Sequence, residues 1–186
     1  MQNNIQQILE ANTIIPVVTI NDLDEIKGIM DKLSEKEINC IEVTLRTPVS
    51  LEAISIISNE YGTDFSVGVG TIISQNQVQA CIALDVDFMV SPGMSFQLIE
   101  EMQKSGIPFI PGVSTPSEII SASEQGCQFQ KFFPANLFGG IKALKTYQSV
   151  FPKVKFCPTG GINEDNMEDY LKLGNVVSIG GSWLLK

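Results

Sequence analysis

The chain contains no histidine. That absence excludes Ser-His-Asp and Cys-His triads and every histidine-ligated zinc site, so any chemistry must run on Lys, Glu, Asp, Tyr, Cys or the backbone. Cysteine is scarce and scattered: Cys40, Cys81, Cys127 and Cys157 form no CxxC pair. They read as reduced, buried, small apolar residues of a cytosolic protein rather than as a disulfide frame. Positive charge is short as well, with 12 Lys+Arg against 21 Asp+Glu and a formal net charge of -9. Nucleic acid and anionic membrane both require a basic surface, so neither is an expected partner. A small anionic substrate would need a local positive site. No stretch approaches the ~20 apolar residues of a membrane span. The opening "MQNNIQQILEANTIIPVVTI" starts polar and uncharged, and Pro16 breaks its short apolar run, unlike a signal peptide. The expected location is cytoplasmic.

What is present is a rhythm. With 186 residues, 44% of them apolar, the chain suits one well-buried core, and residues 1–186 are expected to form a single domain. Eight short β-like runs recur: "IIPVVTI" (14–20), "CIEVTL" (40–45), "FSVGVGT" (65–71), "FMVSP" (88–92), "PFIPGV" (108–113), "QKFFP" (130–134), "KFCPTGG" (155–161) and "VVSIGG" (176–181). Segments of helical period lie between them, such as "DLDEIKGIMDKLSEK", with Leu23, Ile26, Ile29, Met30 and Leu33 on one face. Helix starts are expected at Asn21 or Asp22, Ser74, Thr115-Pro116 and Asn163, and stops near Gly62, Gly106, Gly126 and Gly174. Alternating β and α elements predict an α/β fold with a parallel sheet, and eight strands most simply close into a (β/α)8 TIM barrel. An open doubly wound sheet is the alternative, weakened because no GxGxxG turn follows the first strand. Only "SWLLK" follows the eighth strand. The eighth helix is therefore expected to be missing or truncated, leaving a strip of wall exposed or covered by another subunit.

Active sites of this fold sit at the C-terminal ends of the strands. In "CIEVTLRTP", Ile41, Val43 and Leu45 share one face, and Glu42, Thr44 and Arg46 share the other. The outer strand face must be apolar, so Glu42 and Arg46 are predicted to point into the barrel or its mouth. Four residues of strand separate them by ~13 Å, too far for an easy mutual ion pair. Arg46 is the sole arginine among those 12 cations, and a planar fork used once suggests recognition of a carboxylate or phosphate. A composition that simply favours lysine is the bland alternative.

Within Phe129–Phe133, Lys131 shares its face with Phe129 and Phe133, while Gln130 and Phe132 take the other. If the Phe132 side meets the helices, Lys131 projects inward, where burial disfavours an ammonium and can make an amine nucleophilic. An outward lysine snorkelling to solvent is the competing reading. "TGG" (159–161) and "GGS" (180–182) end strands seven and eight, the usual phosphate site of the fold. One such pair alone would read as a tight turn. Thr71 in "GVGT" and Ser91-Pro92-Gly93 close strands three and four; turn chemistry would account for either.

These pieces together resemble the 2-keto-3-deoxy-6-phosphogluconate (KDPG) aldolases, also called 4-hydroxy-2-oxoglutarate (KHG) aldolases. The motifs are "EVTLRT", "GVGT", "SPG", "PFIPGVST", "KFFPA", "FCPTGGI" and "IGGSWL", in order from about Pro16 to Leu184. The resemblance implies a class I, Schiff-base carbon-carbon lyase on a (β/α)8 barrel, a homotrimer needing no cofactor or metal. Its substrate would be a phosphorylated keto acid, split to pyruvate and glyceraldehyde 3-phosphate. It makes Lys131 the imine-forming residue and Glu42 the acid-base carboxylate. It places Arg46, Thr71 and Thr159 about the keto acid's carboxylate and hydroxyls, Pro92 and Phe133 in the pocket wall, and Gly160, Gly161 and Ser182 at the phosphate. Two departures stand out: "NLFGG" follows "KFFPA", where the family often has Glu or Ser after the alanine, and family members run about one helix further. KHG or the galactonate epimer as substrate, a barrel isomerase or synthase using Glu42 as base, and a non-catalytic barrel are the competing functions.

Overall fold

Residues 2–185 are described by a computed structural model. Strands β1 (Ile14–Val18), β2 (Cys40–Thr44), β3 (Ser66–Gly70), β4 (Phe88–Val90) and β5 (Phe109–Ile110) run in parallel, and β9 (Ile179–Gly181) pairs with β1 on its other side. A second parallel group joins β6 (Gly112–Val113), β7 (Phe129–Phe132) and β8 (Lys155–Pro158). The two groups form one closed wall. Pro111 alone separates β5 from β6 and its carbonyl accepts from Lys131 N, while bridges Phe156–Val176 and Thr159–Gly180 link β8 to the β9 segment. Nine strand segments thus make eight staves, the predicted α/β barrel. The fifth stave is split because proline has no N–H to give to the ladder.

Seven crossover helices clothe the wall: α2 (Glu25–Glu35), α3 (Ser50–Tyr61), α4 (Gln75–Ala83), α5 (Phe96–Ser105), α6 (Pro116–Glu124), α7 (Gly140–Val150) and α8 (Met167–Leu171). Outward residues such as Ile41, Val43, Val67, Val69, Met89 and Phe132 join Ile26, Met30, Leu33, Ile54 and Ile119 in the ring-shaped core between strands and helices. After β9 the described chain makes one 3-10 turn, Trp183–Leu185.

Helix boundaries correct the sequence reading in two places. Residues after Asn21 first make a turn, with Asp24 N donating to Asp22 Oδ1, and α2 starts at Glu25 rather than beside Asn21 or Asp22. Asn163 likewise opens a turn closed by Asn166, so α8 begins at Met167. In both cases short Asx side chains bond the nearby backbone in place of a helical turn. By contrast, Thr115 and Glu118 form a complete capping box on α6.

The N-terminal helix α1 (Gln2–Ala11) was not anticipated. Ile5, Ile8 and Leu9 lie at i, i+3 and i+4, an apolar stripe short enough to escape notice in a polar segment. That stripe packs against the inward residues Ile15, Cys40, Phe88, Val90, Ile110, Phe129 and Cys157, closing the N-terminal end of the barrel as a dry floor. No described helix is long and apolar enough to cross a membrane.

Candidate active site

Two residues up each strand from that floor, the interior changes character. Cys40 is followed inward by Glu42 and Thr44, Phe129 by Lys131, and Cys157 by Thr159, all of them buried. The period of two that puts Phe132 and Gln130 against the helices therefore puts Lys131 inside. Its Nζ lies 3.2 Å from Glu42 Oε1 and 5.2 Å from the centroid of the Phe133 ring. Both charged side chains are about 95% buried, at 5% and 4% exposure. Isolated charges at such depth would be costly, so the pair exists because each group satisfies the other. The partner of Glu42 is thus Lys131, from across the barrel and 89 residues away in sequence, and not Arg46.

Arg46 sits at the rim, where its Nε donates to Thr71 Oγ1 at 3.0 Å. Thr71 has φ of 65°, a left-handed conformation that a β-branched residue rarely adopts. A strained residue at a strand end, holding the only guanidinium, is the kind of outlier found at functional sites. On the facing side, Gly160 and Gly161 have φ of 100° and 73°. In that conformation consecutive backbone N–H groups can turn toward a common anion. Thr159 Oγ1 is buried beside them and has no hydrogen-bond partner among the described residues.

A cavity of about 740 Å³ unites these groups, with Arg46, Lys131, Phe133, Thr159, Gly160, Gly161 and Ser182 in its lining. Three anticipated residues stand one layer back. Glu42 is reached through Lys131, Thr71 through Arg46, and Pro92 packs its backbone against Gly112 on the neighbouring stave. Sequence reasoning passed over Thr19 and Lys32, which also line the cavity. The Thr19 hydroxyl lies 2.7 Å from that of Thr44, and period-two alternation along "VVTI" could have revealed it. Lys32 reads as an ordinary solvent-facing helix position and carries no signal. Asn136, in the unusual "NLFGG" stretch, lies against Gly161 at the glycine cradle.

Competing nucleophiles are quiet. Burial pushes the Cys157 and Cys127 thiols up to about 11 and the Cys81 thiol to about 12, and drives Cys40 higher still. A thiol held protonated is a poor nucleophile. No group of three or more His, Cys, Asp or Glu residues among the described ones could hold a metal ion. A buried amine, a carboxylate in contact with it, a rim arginine and a glycine cradle can together bind an anionic carbonyl compound and form a covalent adduct with it.

The family model for KDPG and KHG aldolase matches residues 5–186. The chain belongs to the KDPG and KHG aldolase family. Relatives within it include the 2-dehydro-3-deoxy-phosphogluconate aldolase of Dickeya dadantii, 40% identical over 97% of this chain and 84% of its own length. The KHG/KDPG aldolase of Escherichia coli K12 is 37% identical over the same shares. Among solved structures, the KDPG aldolase of Legionella pneumophila, with pyruvate captured as a covalent carbinolamine, superposes with a TM-score of 0.93. It is 42% identical and is matched over 96% of this chain and 86% of that one. As a family member, the chain is a lyase of the aldolase type.

Proposed function

We propose that this aldolase cleaves KDPG to pyruvate and D-glyceraldehyde 3-phosphate through an imine on Lys131, and accepts KHG, giving pyruvate and glyoxylate, by the same steps. The observation that carries the reading is the buried contact of Lys131 with Glu42 beside the glycine cradle. Across its 3.2 Å contact, Glu42 is within reach to take a proton from Nζ as the substrate carbonyl arrives. The neutral amine then attacks C2, forming a carbinolamine, and protonation of its hydroxyl by Glu42 expels water to give the iminium. Glu42, again a carboxylate, takes the C4 hydroxyl proton as the C3–C4 bond breaks, and that bond's electron pair moves into the iminium, leaving an enamine and free aldehyde. Protonation at C3 and hydrolysis return pyruvate and Lys131.

In this reading Arg46, with Thr71 and Thr159, holds the substrate carboxylate and hydroxyls. Phe133 bounds the reacting carbons, Pro92 backs the wall from one layer behind, and Gly160, Gly161 and Ser182 receive the phosphate. No cofactor is required, because the iminium is itself the electron sink. A cytoplasmic homotrimer follows from the family resemblance, and light scattering tests the trimer. The decisive experiment is borohydride reduction in the presence of pyruvate. A stable adduct mass on the peptide carrying Lys131 is the expected result, together with pyruvate release from KDPG in a coupled assay. An unmodified Lys131 peptide sinks the imine and leaves a barrel isomerase with Glu42 as base.

A further inference from the structure

The inward column of β3 is made of glycine where the neighbouring staves carry large side chains: Gly68 and Gly70 alternate with outward Val67 and Val69. Neither glycine has a left-handed φ, so backbone conformation does not demand them. Space does. A Cβ on Gly68 would collide with the Phe88 ring, which is part of the apolar floor. A Cβ on Gly70 would collide with the Glu42 carboxylate, overlapping Oε1 and lying 2.8 Å from Cδ and 2.9 Å from Cγ. In the β2–β3 register Glu42 faces Gly68 and Thr44 faces Gly70. The Glu42 side chain therefore leans diagonally up its own strand into the gap at Gly70, and from there meets Lys131 Nζ at 3.2 Å. The same arrangement recurs at Gly180, where a Cβ would collide with the Thr159 hydroxyl.

We infer that Gly70 is a positioning residue: the empty volume above it sets the only place from which the Glu42 carboxylate serves Lys131. The inference rests on the proposed acid-base role of Glu42. Alanine at Gly70 suits the backbone but meets Glu42 from Cγ to Oε1, so that side chain must give way and the carboxylate is pushed off the amine.

The test compares Gly70→Ala, Glu42→Ala and the double variant, with Gly68→Ala as a control, by kcat, KM and melting temperature. Gly70→Ala is expected to lower kcat roughly 10- to 100-fold, part of the ~10²–10⁴ that a positioned acid-base group supplies, with KM little changed. In the Glu42→Ala background the same substitution changes neither kcat nor melting temperature, because the colliding group is gone. Gly68→Ala lowers the melting temperature equally in both backgrounds. An equal loss from Gly70→Ala in both backgrounds overturns the inference. If Gly70→Ala alone does not fold, the double variant does; a double variant that also fails to fold overturns it. Should Glu42→Ala keep parental kcat, the acid-base reading falls, and coupling in melting temperature alone decides whether Gly70 seats Glu42.

Discussion

The floor and the ceiling of this barrel are built from the same strands, two residues apart, yet they obey opposite rules. On the floor, Ile15, Phe88, Val90, Ile110 and Phe129 meet Ile5 and Leu9 of α1 in close apolar packing, and every side chain has only to fill space. One pleat higher, Glu42, Lys131 and Thr159 are as buried as their neighbours below, and here polarity has to be arranged residue by residue. The floor would tolerate a change of shape at equal volume. The ceiling depends on mutual satisfaction, so removing one partner injures the other. Stability and reactivity are thereby separated along the barrel axis by a strand repeat or two.

The comparison can be broken by making the ceiling resemble the floor. Lys131→Met is expected to abolish pyruvate release, by roughly 10⁴-fold or more as for loss of an essential nucleophile, measured in the coupled assay. The same change leaves Glu42 buried without its partner and should cost about 3 kcal/mol in denaturant unfolding. Adding Glu42→Leu should recover most of that loss and yield a stable, inert barrel. A double variant no more stable than Lys131→Met would show that the ceiling is not held by pairing.

The converse experiment injures the floor alone. Phe88→Ala should cost about 3–5 kcal/mol, since the ring fills the gap over Gly68 and cannot be replaced by collapse of the rigid wall. The kcat of the folded fraction should stay near that of the parent, and a large fall in it would show that the two layers are coupled. The smallest effect belongs to neither layer. Glu118 Oε2 accepts from the backbone N–H and hydroxyl of both Ser114 and Thr115, at 2.8–3.0 Å. Partial burial pushes its carboxyl up, but these four donors outweigh it and hold the group below its ordinary value of 4.5. Its contribution is therefore complete above that value and is lost as pH falls through the lower folded-state one. Glu118→Gln should remove about 1 kcal/mol at neutral pH, as for loss of a helix cap, and flatten the acid limb of the stability curve. An unchanged acid limb would assign that limb to other carboxylates.

Much of this was legible beforehand, because alternation along a strand is a local property. Phe132 outward and Lys131 inward follow from period two once the helical side is known, and the glycine pair at 160–161 marks its own turn, whereas Gly180 and Gly181 stay within β9. That Glu42 and Lys131 share the interior as proton partners was legible; their direct contact was not. Glu42 and Lys131 meet only because the sheet closes on itself, and no local spacing encodes which stave faces which. Gly70 was hidden for the same reason: a glycine in a strand announces an empty volume without saying what enters it. The helix α1 was missed because its burial is supplied by the barrel end and its short apolar stripe is diluted by Asn and Gln.

The buried amine has a kinetic corollary. Ile5 and Leu9 close the inner end of the chamber, and exposed Arg46 lines it toward solvent. With the keto half tethered to Lys131, as proposed, the aldehyde half lies on the side of Arg46 and the glycine cradle. On the proposed imine path departure is then ordered, aldehyde first and pyruvate last, because the enamine keeps the keto half on Lys131 until it is protonated and hydrolysed.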